Sequence, residues 1–194
     1  QVEIIKGAAS ALYGPSALGG VINLVSRRPA SESQGELLLN ATSRDGQDVT
    51  GYVAAPLSSV FSASVTAGYD RQSRQDLNDD GWADMPGYER FTVRPRLFVN
   101  TADGTKALVT FGAMAEQRDG GTMPEANAPD GSPFAQTLHS RRYDLGLTAE
   151  TPLEGIGTLR LRASGVTQSH RHVFGKTVEN DRHRTAFAEA SLGG

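Results

Sequence analysis

A chain of 194 residues in which 22 Asp and Glu face 19 Lys and Arg has a formal net charge of -3, so it carries no basic excess for gripping nucleic acid, and its aromatic residues do not interleave with basic ones. The absence of cysteine excludes disulfides, thiolate metal sites and a cysteine nucleophile. No stretch approaches the ~18 apolar residues of a spanning helix, yet a mean hydropathy of -0.37 suits a β-barrel wall as well as a soluble domain, because half of every barrel strand is polar.

Residues 2–29 read VEIIKGAASALYGPSALGGVINLVSRRP: an apolar strand, a small-residue turn holding Leu12-Tyr13-Gly14, a Gly19-Gly20 pair, a second apolar strand, and a basic stop at Arg27-Arg28-Pro29. Gly7, Gly14, Gly19 and Gly20 suit a tight reversal, and Val21, Ile22, Leu24 and Val25 supply a β-rich run. From Gln34 onward the dominant period is two. In 61–70 Phe61, Ala63, Val65, Ala67 and Tyr69 share one face and polar or small residues the other. The same two-sidedness marks 91–100, with Arg94 and Arg96 on the polar face, 142–151 and 159–168, and it is weaker in 36–43, 48–55, 106–116 and 183–192. Eight strands are therefore predicted. Tight turns are expected at Pro56-Leu57-Ser58-Ser59, Ala102-Asp103-Gly104-Thr105 and Pro152-Leu153-Glu154-Gly155, and long polar loops at 73–87, 117–137 and 171–181. Of the connections at the long-loop end, only Arg44-Asp45-Gly46-Gln47 is expected to be short. Short turns at one end and long loops at the other is the asymmetry of an outer-membrane barrel.

Within the first long loop, Asp76-Leu77-Asn78-Asp79-Asp80-Gly81-Trp82-Ala83-Asp84 has the D-x-N-x-D-G-x-x-D spacing of a calcium loop, which makes Asp76, Asn78, Asp80 and Asp84 candidate Ca²⁺ ligands. Gly87 stands where a helical calcium loop has its bidentate Glu, and a solvated acidic turn is the competing reading. His170 and His172 flank Arg171 at i, i+2, on one strand face at the expected base of an outer loop, and are candidate ligand contacts. No catalytic constellation is found: Ser10 and Ser16 lack a nucleophile elbow, and Glu116 and Asp119 lack an apolar pocket to separate their pKa values, so no enzyme is expected.

The run at 2–29 closely resembles the end of the plug domain in TonB-dependent outer-membrane receptors, where a strand, a Gly-rich turn and a GGVINLV strand precede the first barrel strand. Gly7, Tyr13, Gly14, Gly19, Gly20, Asn23, Arg27 and Arg28 carry the resemblance. It implies an all-β chain: residues 1–30 as the C-terminal end of the plug, and 31–194 as the first strands, about eight, of a transmembrane antiparallel β-barrel of ~22 strands. Arg27 and Arg28 would be the exit from plug to wall, either meeting acidic lumen residues or acting as a plain hydrophilic linker. The implied setting is the outer membrane of a Gram-negative cell, in contact with its lipid. The implied function is import of a nutrient chelate, most often a ferric siderophore, powered by a TonB complex acting on plug residues outside this chain. Opening at Gln1 in mid-pattern, the chain is expected to be an internal piece of a longer protein. Two other functions fit the pattern: a passive or structural outer-membrane barrel, and a secreted calcium-stabilised β-module for adhesion.

Overall fold

The computed structural model describes residues 2–5, 21–24 and 27–193, and all regular structure among them is β-strand. β1 (Val2–Ile5) and β2 (Val21–Leu24) form a separate antiparallel pair, with Glu3 opposite Asn23 and Ile4 opposite Ile22. The other strands are β3 (Gln34–Ala41), β4 (Gly46–Pro56), β5 (Phe61–Gln72), β6 (Gly87–Asn100), β7 (Lys106–Gly121), β8 (Ala135–Leu153), β9 (Gly157–Phe174) and β10 (Thr177–Gly193). They make one antiparallel sheet in which each strand pairs with its neighbours in sequence. β3 and β10 are its two edges, so these eight strands do not close on themselves into a small barrel.

Alternation sorts the side chains to two faces of unlike chemistry. The outer face carries Leu37, Leu39, Val53, Phe61, Phe91, Tyr143 and Leu145, all exposed, while the only buried hydrophobic residues among those described are Ala54 and Phe98. A water-soluble domain inverts that relation, burying its large apolar side chains and keeping exposed apolar patches small. Ala54, Ser64, Phe98, Glu116 and Ser140 are all buried and all lie on the opposite, inner face, as their cross-strand pairing shows. On β8 the outward apolar series runs from Tyr143 to Leu153, roughly 34 Å at ~3.4 Å per residue. A tilt of ~40° reduces this to about 25 Å, the height of an outer-membrane apolar band.

Short turns are fixed by local chemistry. Ser58 Oγ accepts from the amides of Val60 and Phe61, at 3.2 and 3.0 Å. Asp103 accepts from Thr101 Oγ1 and from the Thr105 amide while Gly104 takes φ +86°. The Thr101 hydroxyl first, then the Thr105 amide, hold the Asp103 carboxyl below its ordinary value. At the β8–β9 turn Gly155 and Gly157 take φ of 71° and 132°.

All eight wall strands lie where the periodicity places them, but all except β3, which ends at Ala41, run farther at the outer end. The expected loop at 171–181 is instead ladder: Val173 pairs with both Thr137 and Val178, and only Gly175 and Lys176 separate β9 from β10. The connection at 117–137 shrinks likewise to 122–134, and only 73–86 approaches its expected length. The short connection between β3 and β4 is thus not alone at that end. Beyond the lipid band no face must be apolar, so the hydrophobic alternation fades while backbone pairing continues undisturbed. Pairing of β6 with β7 lapses at one place, Arg94 and Pro95, where proline has no N–H to donate.

Candidate functional site

A lateral row of polar residues crosses the inner face near its outer end. Register places Asp70, Arg90, Glu116, Ser140, His170 and Asp181 successively opposite one another on β5 to β10. Glu116, whose side chain is 6% exposed, binds Arg90 Nε at 2.5 Å and Arg118 Nε at 2.6 Å. Both guanidiniums also lie over the Tyr88 ring, 5.7 and 5.9 Å from its centroid. One buried carboxylate thereby fixes two cations around one aromatic ring, an arrangement suited to anionic, ring-bearing or carbonyl-rich ligands. Beside it, His170 Nε2 lies 2.7 Å from the amide nitrogen of Gln168 and Nδ1 lies 2.7 Å from Ser140 Oγ, so both ring nitrogens have a hydrogen-bonding partner.

Deeper in the wall, Arg94 reaches Asp144 at 3.3 Å from a strand two away. The intervening position is Gly112, where a Cβ would come within 2.6 Å of both Asp144 carboxylate oxygens. Arg142 approaches the same carboxylate at 3.5 Å. At the outer rim Phe134 meets Phe174 edge-on with centroids 4.8 Å apart, Trp82 lies 5.6 Å from Phe134, and His172 lies 6.0 Å from Phe174.

His170 and His172 therefore share the inner face, within the β9 ladder and not at a loop base. In the acidic loop the side-chain oxygens turn toward the loop's own amides. Asp76 accepts from Asn78, Asp80 and Gly81, Asn78 from Asp80, Asp80 from Trp82, and Asp84 from Leu77. Desolvation raises the Asp76 carboxyl, but the amides of Gly81, Asn78, Asp80 and Asp79 together outweigh it and leave the group below its ordinary value. Among the described residues no three His, Asp or Glu side chains converge as a metal-binding group. Gly7, Tyr13, Gly14, Gly19 and Gly20 lie outside the described residues, and Asn23 lies in β2. Arg27 bonds Glu36 of β3 at 2.5 Å and lies over the Tyr52 ring at 5.5 Å. The Glu36 hydrogen bond, then its charge, raise the Arg27 pKa further above its ordinary value. Arg28 lines a small inner-face cavity of about 110 Å³ with Lys106, Glu150 and Arg160.

No protein-family model matches the chain. Among curated proteins it is 29% identical over 144 residues to the ferrioxamine receptor of Yersinia enterocolitica, covering 74% of this chain and 19% of that protein. It is 30% identical over 156 residues to the ferrioxamine B receptor of Salmonella typhimurium, covering 80% and 20%. It is also 35% identical over 98 residues to the ferripyoverdine receptor of Pseudomonas aeruginosa, covering 49% and 12%. The chain thus spans about a fifth or less of these relatives. The fold matches the siderophore receptor PiuA of Acinetobacter baumannii with a TM-score of 0.66 at 17% identity, covering 89% of this chain and 26% of that one. The ferric enterobactin receptor PfeA of Pseudomonas aeruginosa matches with a TM-score of 0.65 at 16% identity, covering 98% and 32%.

An open antiparallel sheet with an apolar outer band and a polar inner face is a portion of the wall of a plugged outer-membrane β-barrel. With the sequence relatives beside that fold, the chain belongs to the TonB-dependent outer-membrane receptors, which are receptors and not enzymes.

Proposed function

We propose that the protein is part of a TonB-dependent transporter that binds a ferric siderophore at the outer end of its inner face and imports it across the outer membrane. Residues 1–30 would form the end of its plug and 31–194 the start of its wall, with the TonB complex as energising partner. The observation that carries this reading is the Arg90–Tyr88–Arg118 cluster held by Glu116. It lies on the inner face, at the end bearing the long connections, in a chain whose relatives are named for ferrioxamine and ferripyoverdine.

The test is binding of ferric ferrioxamine B and ferric pyoverdine by the complete receptor in detergent, with iron uptake by cells that have or lack TonB. We expect one of these chelates to bind and Tyr88→Ala to weaken it about tenfold, the scale of one aromatic and cation contact. Binding of neither chelate would remove the reading. Uptake that persists without TonB would leave the passive channel in its place.

Calcium in the loop 76–84 is a separate proposal supported by the spacing of Asp76, Asn78, Asp80 and Asp84. We expect the loop amides to gain hydrogen-exchange protection in Ca²⁺ and lose it in chelator. Equal protection in both, with no metal bound, removes the proposal.

A further inference from the structure

His170 holds a fixed place in the polar row because both of its ring nitrogens are bonded, Nδ1 with Ser140 Oγ on β8 and Nε2 with the Gln168 amide on its own strand. Neither partner dictates the ring's charge. A hydroxyl can donate or accept, and an amide offers an oxygen as well as a nitrogen, so the same two contacts serve an imidazole and an imidazolium. Imidazole is the side chain whose charge ordinarily changes between pH 5 and pH 8. His170 can therefore exchange a proton with no change in the backbone that carries it.

Charges of both signs face the ring. On β10 Asp181 stands directly opposite, bonded to His183 at 2.6 Å, and Glu179 stands diagonally, opposite His172. On β8 the facing cation is Arg142, which lies 3.5 Å from the Asp144 carboxylate. His172, next along the same face of β9, lies against the Phe174 ring. Beyond Ser140 the row continues to Glu116, which holds the guanidiniums of Arg90 and Arg118. Only that short, buried serine separates Glu116 from His170, a span of two strands or about 10 Å. A chelate resting on Tyr88, Arg90 and Arg118 would come within that distance of the imidazole.

We propose that His170 gives the chelate site a proton-linked contact: protonation adds a cation beside Arg90 and Arg118, so anionic chelates bind more tightly as the external pH falls and cationic ones less tightly. By linkage, a bound anion draws a proton onto the ring and a bound cation expels it. The contact rests on the transport reading and adds to it a control of affinity by the medium. Unit charges about 10 Å apart near a protein surface, screened over a Debye length of about 8 Å, change affinity roughly two- to threefold.

The experiment measures chelate affinity of the complete receptor in detergent at about pH 8 and about pH 5.5, which bracket imidazole titration. The probes are ferric ferrioxamine B, made a cation by its free ammonium, and its N-succinyl derivative, made an anion by a carboxylate, with ferric pyoverdine alongside. We expect acid to strengthen the anion and weaken the cation, each roughly two- to threefold, and His170→Gln to remove at least half of each shift. Titration of the chelate itself is common to parent and variant and cancels between them. Equal affinity of parent and variant at the higher pH reports that the variant is folded, and His170→Asn repeats the comparison with a second uncharged side chain. His139→Gln, on the outer face of β8, is expected to keep the parent's shifts. Shifts of the same sign for anion and cation, or shifts unchanged in both His170 variants, would overturn the proposal. A receptor that binds chelate with no difference between parent and variants fails this contact alone, and one that binds none of the three chelates fails the transport reading and this contact with it.

Discussion

Gly121→Ala is expected to destabilise the receptor by about 3 kcal/mol or more, a size reserved for changes the backbone cannot absorb. Gly121 ends β7 at φ +86°, and a Cβ there would come within 2.0 Å of the Phe134 carbonyl oxygen. The obstacle is main chain and cannot rotate away. Relief requires breaking the Thr122 amide to Phe134 carbonyl bond of 3.0 Å, and with it the Phe134 amide to Thr122 hydroxyl bond, also 3.0 Å. Trp82, Phe134 and Phe174 would separate as the hairpin opens. Unfolding in guanidinium from detergent micelles measures the loss, and hydrogen exchange should place it first at 119–137. A variant as stable as the parent would contradict this geometry.

Glu116→Gln is expected to cost roughly 2–3 kcal/mol and to weaken ligand binding at the same site. The carboxylate is nearly buried while Arg90 and Arg118 are 35% and 43% exposed in their side chains, so the loss falls below that of a fully buried pair. Two like charges would remain around Tyr88, and their repulsion is itself part of the penalty. Adding Arg90→Gln to Glu116→Gln should therefore recover part of the stability, and a double-mutant cycle reads that coupling. If Glu116→Gln alone is neutral, the carboxylate does not organise the cluster.

The wall was legible because lipid on one side and polar groups on the other impose a period of two, and Phe61 to Tyr69 display it without exception. The outer extensions were not legible, because Ser169-His170-Arg171 and Asn180-Asp181-Arg182 are polar on both faces although fully paired. Gly175-Lys176 carries a two-residue hairpin signal, yet its flanks lack the hydrophobic alternation that would have identified it. The candidate site was obscured for a related reason. Tyr88, Arg90, Glu116 and Arg118 come from two strands, and only cross-strand register brings them together. Counting register back from the β6–β7 turn would have placed Arg90 opposite Glu116; that pairing was the available signal. His170 stood out in the sequence as one of a pair, whereas its actual partners, Ser140 and Gln168, are residues of no unusual type.

The proline on the lipid side of β6 gives the wall a seam. Where Pro95 cannot donate, β6 and β7 lose a rung inside a medium that offers no water to replace it. Directly there, Gly112 lets the Arg94 side chain pass over β7 and hold Asp144 on β8. The ion pair thus acts as a stitch on the bore side, running from β6 across β7 to β8 beside the interrupted β6–β7 rung. Hydration of the bore and cohesion of the wall meet at this stitch: were Arg94 drawn away, Asp144 would keep Arg142 on its own strand, and the side-chain bridge from β6 to β8 would be lost beside the missing rung.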